Sequence, residues 1–398
     1  MFPCVLLQEQ LKFLCGRSIK GHWEGEKNLE EIMAYKAFRY SEVGRNPAIA
    51  SIKARLSMAM LLIPMLFIGN ALAAEAVKKV FIVHSYEIDH VCGRPQHEGV
   101  VQALKEAGFD EKRVSYGVYA MDTKRRYNTP EQIEAQAVIA LQHIEEFGPD
   151  VVVTLDDNAF RTVALAIAEM DIPVVFSGLN RRPESYVTNP PWIQSRQRPG
   201  GNITGVIEKI HFVTAVKVQK NIVPSLRRVL VLSDTSPTGK ALTAQIREEL
   251  EAEKLPVEVD FFITDSWEEY QQAVLDAPKG DNDTLYPVAL RLKDEAGTTY
   301  TAKEILSWTG KHSELPSIPL NFAFVKLGLF GGAGVDFHGM GLQAGEMTAR
   351  ILSGQQAGMV PIEDAERYAL VFHLERAGTL GIDIPDDILL AADEVYRD

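Results

Sequence analysis

Residues 150–180 read DVVVTLDDNAFRTVALAIAEMDIPVVFSGLN. A β-branched run over 151–154 ends in two adjacent carboxylates, an apolar-periodic stretch covers Asn158–Met170, and a second apolar run at 172–176 closes on small and polar residues. Short continuous apolar runs are the pattern of strands buried on both faces, and a helical stretch between two of them makes a strand–helix–strand unit of a parallel sheet.

The same alternation extends in both directions. Upstream, KKVFIVHSY (78–86) reads as a first strand, 96–107 as its helix closed by Gly108, RVSYGVYAMD (113–122) as a second strand, and Pro130 opens a long helix ending at Gly148. After RPGGNITGVIE (198–208) the pattern restarts, with strands expected at 227–234, 257–264, 284–292 and 318–325 and helices at 238–253, near 266–276 and near 301–311. A glycine-rich loop over 331–354 then runs into another amphipathic helix. Two consecutive α/β sets of similar size predict two similar lobes, each a parallel-sheet α/β sandwich, with a cleft between them.

A chain of 398 residues, 46% hydrophobic and 24% charged, exceeds what one core usually fills, and a net charge of −13 argues against nucleic acid or an anionic membrane surface as partner. Lys53 and Arg55 precede the apolar run LSMAMLLIPMLFIGN, which is short for a membrane span and leads into ALAAEA. This is the pattern of a cleaved signal peptide with Ala71-Leu72-Ala73 as the recognition step, so the mature chain is expected to begin near Ala74 or Glu75, in the periplasm. Residues 1–50 are an upstream extension, and Met33 and Met58 are alternative starts. Cys4 and Cys15 fall in the removed segment, which leaves Cys92 without an internal disulfide partner and gives no lipid-attachment cysteine at the cleavage point.

The chemistry-bearing motifs are few. The nine histidines are scattered, with no H-E-x-x-H, C-x-x-C or acidic calcium loop, so neither a metal nor a cofactor is expected. GGAGVDFHGMG lacks the Lys-Ser/Thr of a phosphate loop, and no G-x-S-x-G elbow is present. His84 and Ser85 are strand neighbours that point to opposite faces, so they do not form a base–nucleophile pair. What remains is recognition at strand ends, where open α/β sheets bind ligands. Tyr86 offers an aromatic face, at least one of Asp156 and Asp157 is expected to grip a ligand ammonium, and Ser85, Asn158, Ser177, Gly178 and Asn180 are expected to line the same rim. Helix capping is the competing role for Asp157 and Asn158.

The stretches VHSYEIDH, TLDDNAF, IPVVFSGLN, GNITGVIE, GLFGG…GLQAGEMTARILSG and the closing LERAGTLGIDIPDDILLAADEVY resemble the substrate-binding proteins of ABC transporters, in the group that includes tryptophan- and tyrosine-binding proteins. The resemblance covers roughly 78–396 and implies a type I periplasmic-binding-protein fold, an interlobe site for an amino acid or a related small polar or aromatic solute, an inner-membrane permease partner, a monomer and no catalysis. It implies lobes at 76–204 plus 336–360 and at 205–335 plus 361–398, a hinge near Gly205 and Gly334, and contacts from Glu208, Asp234, Pro287 and Asn321 facing the first rim. Two positions depart from the amino-acid-binding pattern. Asp156-Asp157 stands where a Thr-Pro pair is usual, and Asn180 where an acidic residue is usual. The stretches ALRLKDEAGTTYTAKEI and IPLNFAFVKLGLFGG also resemble periplasmic sensor regions of histidine kinases, so a sensory role is the alternative, and an enzyme using Asp156 or Asp157 as acid/base is a further one.

Overall fold

The computed structural model describes residues 76–277, 283–289 and 291–397. The expected signal segment and upstream extension lie outside the described residues. Within them, no helix is long and apolar enough to cross a membrane.

The first sheet is built as the sequence pattern requires. Strands β1 (Lys78–His84), β2 (Val114–Ala120), β3 (Val151–Leu155), β4 (Val174–Leu179), β5 (Ile203–Ile207) and the short β12 (Glu363–Asp364) pair in the order β12-β5-β4-β3-β1-β2, all parallel. β3 and β4 are buried along their whole length, which is why their sequences run apolar without alternation. Helices α1 (Gly93–Glu106) and α2 (Pro130–Phe147) connect the strands; Thr129 and Gln132 form a capping box at the start of α2, and Gly148 closes it in the left-handed conformation. The helix expected at 158–170 is broken into α3 (Asp156–Ala159), a π turn at Phe160–Ala164 and a 3-10 turn at Leu165–Ile167. α1 starts before the expected residue 96 because Pro95 sits in the first turn, where no intrahelical N–H is needed.

The second group carries α4 (Phe212–Ile222), β6 (Arg228–Ser233), α5 (Pro237–Ala252), β7 (Glu258–Ile263), α6 (Trp267–Asp276) and β8 (Asp283–Pro287), with parallel strand order β7-β6-β8. The expected strand 284–292 is interrupted. Pro287 ends the ladder, and β9 (Arg291–Lys293) turns back against β10 (Thr299–Thr301) as an antiparallel hairpin before α7 (Ala302–His312). The expected strand 318–325 also splits, since residues 322–327 form a 3-10 turn ended by Gly328 at φ 96°. Isolated bridges Leu285–Ser317 and Asn321–Val335 link β8 to a further sheet, β11 (Gly331–Val335), β13 (Tyr368–His373) and β14 (Glu394–Tyr396). Strand β11 takes the place of the expected glycine-rich loop, and short helices α9 (Leu374–Leu380) and α10 (Asp386–Leu390) complete the chain.

Between β11 and β12 the chain returns to the first group as α8 (Phe337–Leu352), which packs along α1. The register of β5 against β4 runs through Ile207, and β12 pairs with β5 through Asp364, so the chain leaves the first sheet after those residues rather than at 204 and 360. Gly205 therefore lies inside β5, and Gly334 inside β11. Among the described residues the chain passes between the two groups at 208–211, at Asp336 and at 365–367.

Candidate functional site

The carboxyl ends of β1, β3 and β4 meet the first crossing. Ser85 anchors this junction. It is fully buried; its amide and hydroxyl both donate to the Leu155 carbonyl, at 3.1 and 2.6 Å, and its Oγ accepts from the Ala159 amide at 2.7 Å. Its carbonyl accepts from the Thr123 hydroxyl, 2.6 Å away, whose Oγ1 in turn accepts from Asn158 Nδ2 at 2.9 Å. Ser85 and Asn158 therefore tie β1, β3 and the loop after β2 together.

Asp157 has a similar task. Its carboxylate accepts from the Tyr186 hydroxyl and from the side-chain and main-chain nitrogens of Asn180, the latter two at 2.9 and 3.4 Å. The residue makes no helix cap, since the first helical turn has no side-chain cap hydrogen bond. Asp157→Ala is expected to lower stability by about 1–3 kcal/mol, because the Tyr186 hydroxyl and the Asn180 amide lose their acceptor. A thermal melt checks this; an unchanged melting point would show that both groups find water instead.

Asp156 is placed differently. Its backbone is left-handed at φ 66°, the residue is 3% exposed, and Oδ1 accepts from Gln96 Nε2 at 3.3 Å while the buried Oδ2 makes no hydrogen bond among the described residues. Burial pushes its carboxyl up to about 7, with Asp157 adding to the shift and the Lys124 charge opposing it. Gly178, at φ 86°, makes room here, since a Cβ at that position would stand 2.9 Å from Gln96 Oε1 and 3.2 Å from Asp156 Oδ1. Ser177 beside it is fully buried, with a hydroxyl that makes no hydrogen bond among the described residues.

Glu208, the first residue of the crossing, is 6% exposed. Its amide donates to Leu179 O at 3.0 Å and its carbonyl accepts from Gln245 Nε2 at 3.0 Å, but its carboxyl makes no hydrogen bond among the described residues. Burial, then Asp156 and Asp157, push that carboxyl well above the ordinary range. Tyr86 completes the group. Its half-buried ring lies 4.5 Å from that of His90, the Lys124 ammonium sits 4.2 Å over its face, and burial together with Asp156, Asp157, Cys92 and Glu208 raises its hydroxyl well above normal.

Tyr86, Asp156, Asp157 and Glu208 thus share one electrostatic neighbourhood, with Gly178 and Asn180 packed on the aspartates. The residues expected from the second lobe behave otherwise. Asp234 accepts from the amides of Ser236 and Arg291, at 2.9 and 3.2 Å, and shapes the turn after β6. Pro287 ends β8, and Asn321 is 2% exposed with an Oδ1 that makes no hydrogen bond among the described residues; there, neither residue is hydrogen-bonded to the carboxylate group. Tyr286, adjacent to Pro287, is fully buried with a hydroxyl that makes no hydrogen bond among the described residues, and burial, then Glu249 and Glu208, raise that hydroxyl. Sequence reasoning passed over Lys124, Gln96, Tyr186 and Tyr286. The Lys-Arg-Arg run at 124–126, directly after a strand of the same sheet, was the available signal for the first of these. Among the described residues, no cluster of three or more His, Cys, Asp or Glu is arranged to hold a metal ion.

The sequence profile described as ABC transporter substrate binding protein matches residues 83–396. A tyrosine-binding protein of Clostridioides difficile strain R20291 is 21% identical over 206 residues, which is 52% of this chain and 56% of that protein, so the match spans about half the length of this curated relative. Among solved structures, a ligand-free, open substrate-binding protein with adhesive properties from Clostridium difficile superposes with a TM-score of 0.62 at 18% identity, over 81% of this chain and all of the other. An ABC domain in complex with L-Trp from Streptococcus pneumonia gives 0.59 at 21% identity, over 81% and 100% of the two chains. At these identities the likeness establishes the fold, a two-lobed α/β arrangement of the type I periplasmic-binding-protein kind.

Proposed function

The chain belongs to the family of ABC transporter substrate-binding proteins, and on that premise we propose that it captures a small polar or aromatic solute between its two lobes and delivers it to an inner-membrane permease. The first lobe is the six-stranded sheet with α1, α2, α3 and α8, the second is the remainder, and the three crossings form the hinge. Export through a signal peptide cleaved near Ala73/Ala74 places this capture in the periplasm, and the protein binds without transforming its ligand.

The observation that carries this reading is the buried carboxyl group of Asp156, whose Oδ2 makes no hydrogen bond among the described residues and whose charge is felt by Glu208, the residue at which the chain passes from one lobe to the other. Unpaired buried polar atoms are costly, and a ligand that satisfies them on closure gains what the free protein lacks. The second lobe approaches the same region. Gln245 of α5 donates to the Glu208 carbonyl and accepts from the Ile210 amide at 2.6 Å, and Arg182 pairs with Glu248 at 2.7 Å between exposed side chains. That ion pair contributes at most about 1 kcal/mol, enough to bias closure without locking it.

Purified protein analysed intact by native mass spectrometry and again after denaturation is expected to release one small solute per chain. Adding that solute back at a hundredfold excess over its dissociation constant should stabilise the protein by about 2.7 kcal/mol, read as a raised melting point. If the protein turns that solute over instead of returning it unchanged, it is an enzyme and the capture reading fails.

A further inference from the structure

We propose that the cleft takes an organic ammonium ion without a carboxylate, whose cationic nitrogen replaces the Lys124 ammonium over the Tyr86 ring and faces Asp156 and Glu208. The inference rests on the capture reading above and names the ligand class for the same site.

The protein already places a cation where the ligand's would go. Lys124 extends from the loop after β2, an exposed residue whose Nζ lies 4.2 Å from the centre of the Tyr86 ring. Among the described residues it makes no ion pair, and its charge acts on both Asp156 and Glu208. Its neighbours in the basic run are spent elsewhere, since Arg125 and Arg126 both reach Asp122 Oδ2, at 3.1 and 3.5 Å. A flexible ammonium over an aromatic face is held by the ring quadrupole and the surrounding negative charge, and because it is tethered to an exposed loop it can be exchanged for another ammonium.

The acceptors for that nitrogen are built and unused. Asp156 is 97% buried by its 3% exposure and carries an Oδ2 that makes no hydrogen bond among the described residues, and Glu208, 6% exposed, bonds there through its amide and carbonyl and not through its carboxyl. Donors suited to a ligand carboxylate are scarce by comparison. The hydroxyls of Ser85, Thr123 and Tyr186 already donate within the protein, and Asp157 adds further negative charge. A carboxylate brought beside Asp156, Asp157 and Glu208 would meet repulsion that an amine of the same skeleton avoids, and this repulsion gives the selectivity its sign.

Titration calorimetry at pH 8 with tyramine, tryptamine and choline, set against L-tyrosine and L-tryptophan, tests the proposal on the native protein and on Lys124→Met. Tyramine or tryptamine is expected to bind at least tenfold more tightly than its own amino acid, or choline more tightly than both amino acids. Lys124→Met should tighten amine binding three- to tenfold by removing the internal competitor, and Tyr86→Ala should weaken it at least tenfold. Tighter binding of the amino acids, or loss of binding in Lys124→Met, would assign Lys124 to a ligand carboxylate and overturn the proposal while leaving solute capture intact. Silence from all five compounds, with a neutral or anionic solute released from the purified protein, overturns it in the same way. Silence with no released solute overturns the capture reading as well.

Discussion

Asp156→Asn is expected to melt later than the native protein at pH 8, by several degrees, and to lose most of that advantage as the pH falls toward 4. The folded carboxyl is pushed up to about 7, whereas an unfolded aspartate has its ordinary value near 3.8. Above pH 7 the group is charged in both states and the folded state bears the burial cost of that charge; as the pH falls through 7 the folded protein binds a proton the unfolded chain does not, and the cost is relieved. A shift of this size corresponds to about 4 kcal/mol at most. Asparagine keeps an acceptor for Gln96 and carries no charge, so the variant avoids the cost. The comparison has to be made against the native protein at each pH, because burial holds His84 and His90 at about 3 and His211 at about 4, and these depressed histidines destabilise both proteins below about pH 6.5. Paired thermal melts at pH 8, 6.5 and 5 isolate the carboxyl. A variant that melts earlier than the native protein at pH 8 would show that Lys124 already compensates the charge. Stability gained by removing Asp156 and binding lost with it would together mark a charge kept for a ligand at the expense of the fold.

The first sheet was legible because its strands are short, continuous apolar runs and its long helix carries its own start and stop signals. The second group was read less well where local punctuation outweighs apolar character. In TLYPVALRL the proline lacks the N–H that a continuing ladder needs, and in IPLNFAFV the following Gly328 admits a left-handed turn that ends the segment. At the site, position was legible and role was not. Asp156 and Asp157 were placed together at a strand tip, yet one of them is engaged by Tyr186, 29 residues on, and the other is held from α1 by Gln96, 60 residues back. Neither partner can be found from periodicity, because both pairings depend on how the loops fold over the sheet. Ser85 stands at the end of β1, and its hydroxyl fastens β1 to β3, a pairing its sequence position does not reveal. Asp234 stands at the end of β6, where its carboxylate accepts from the amides of Ser236 and Arg291, partners that periodicity does not reveal either.

Gly341→Val is expected to destabilise the protein by about 3 kcal/mol or more and to weaken ligand binding at the same time. Helices α1 and α8 cross with their backbones in contact: a Cβ at Gly341 would lie 2.1 Å from the Gln96 carbonyl oxygen and 2.7 Å from its Cα, while one at Gly99 would lie 2.3 Å from the His338 carbonyl oxygen. No side-chain rotamer relieves a clash between a Cβ and a main chain, so the helices must separate, and the apolar residues between them, Val100, Ala344 and Met347, lose close contact. The cost falls first on Gln96. Its carbonyl meets the new Cβ, and its side chain donates to Asp156 Oδ1 and packs against Gly178. Displacing this one residue removes the hydrogen bond that orients the buried carboxylate, which is why fold and site should fail together. Glu346→Ala, on the exposed face of the same helix, should change the melting point little, by about 0.5 kcal/mol or less. Thermal melts and ligand titrations on both variants separate the possibilities. A Gly341→Val protein that melts and binds like the native one would mean that α1 and α8 do not approach this closely, and the placement of Gln96 beneath Asp156 would fall with that contact.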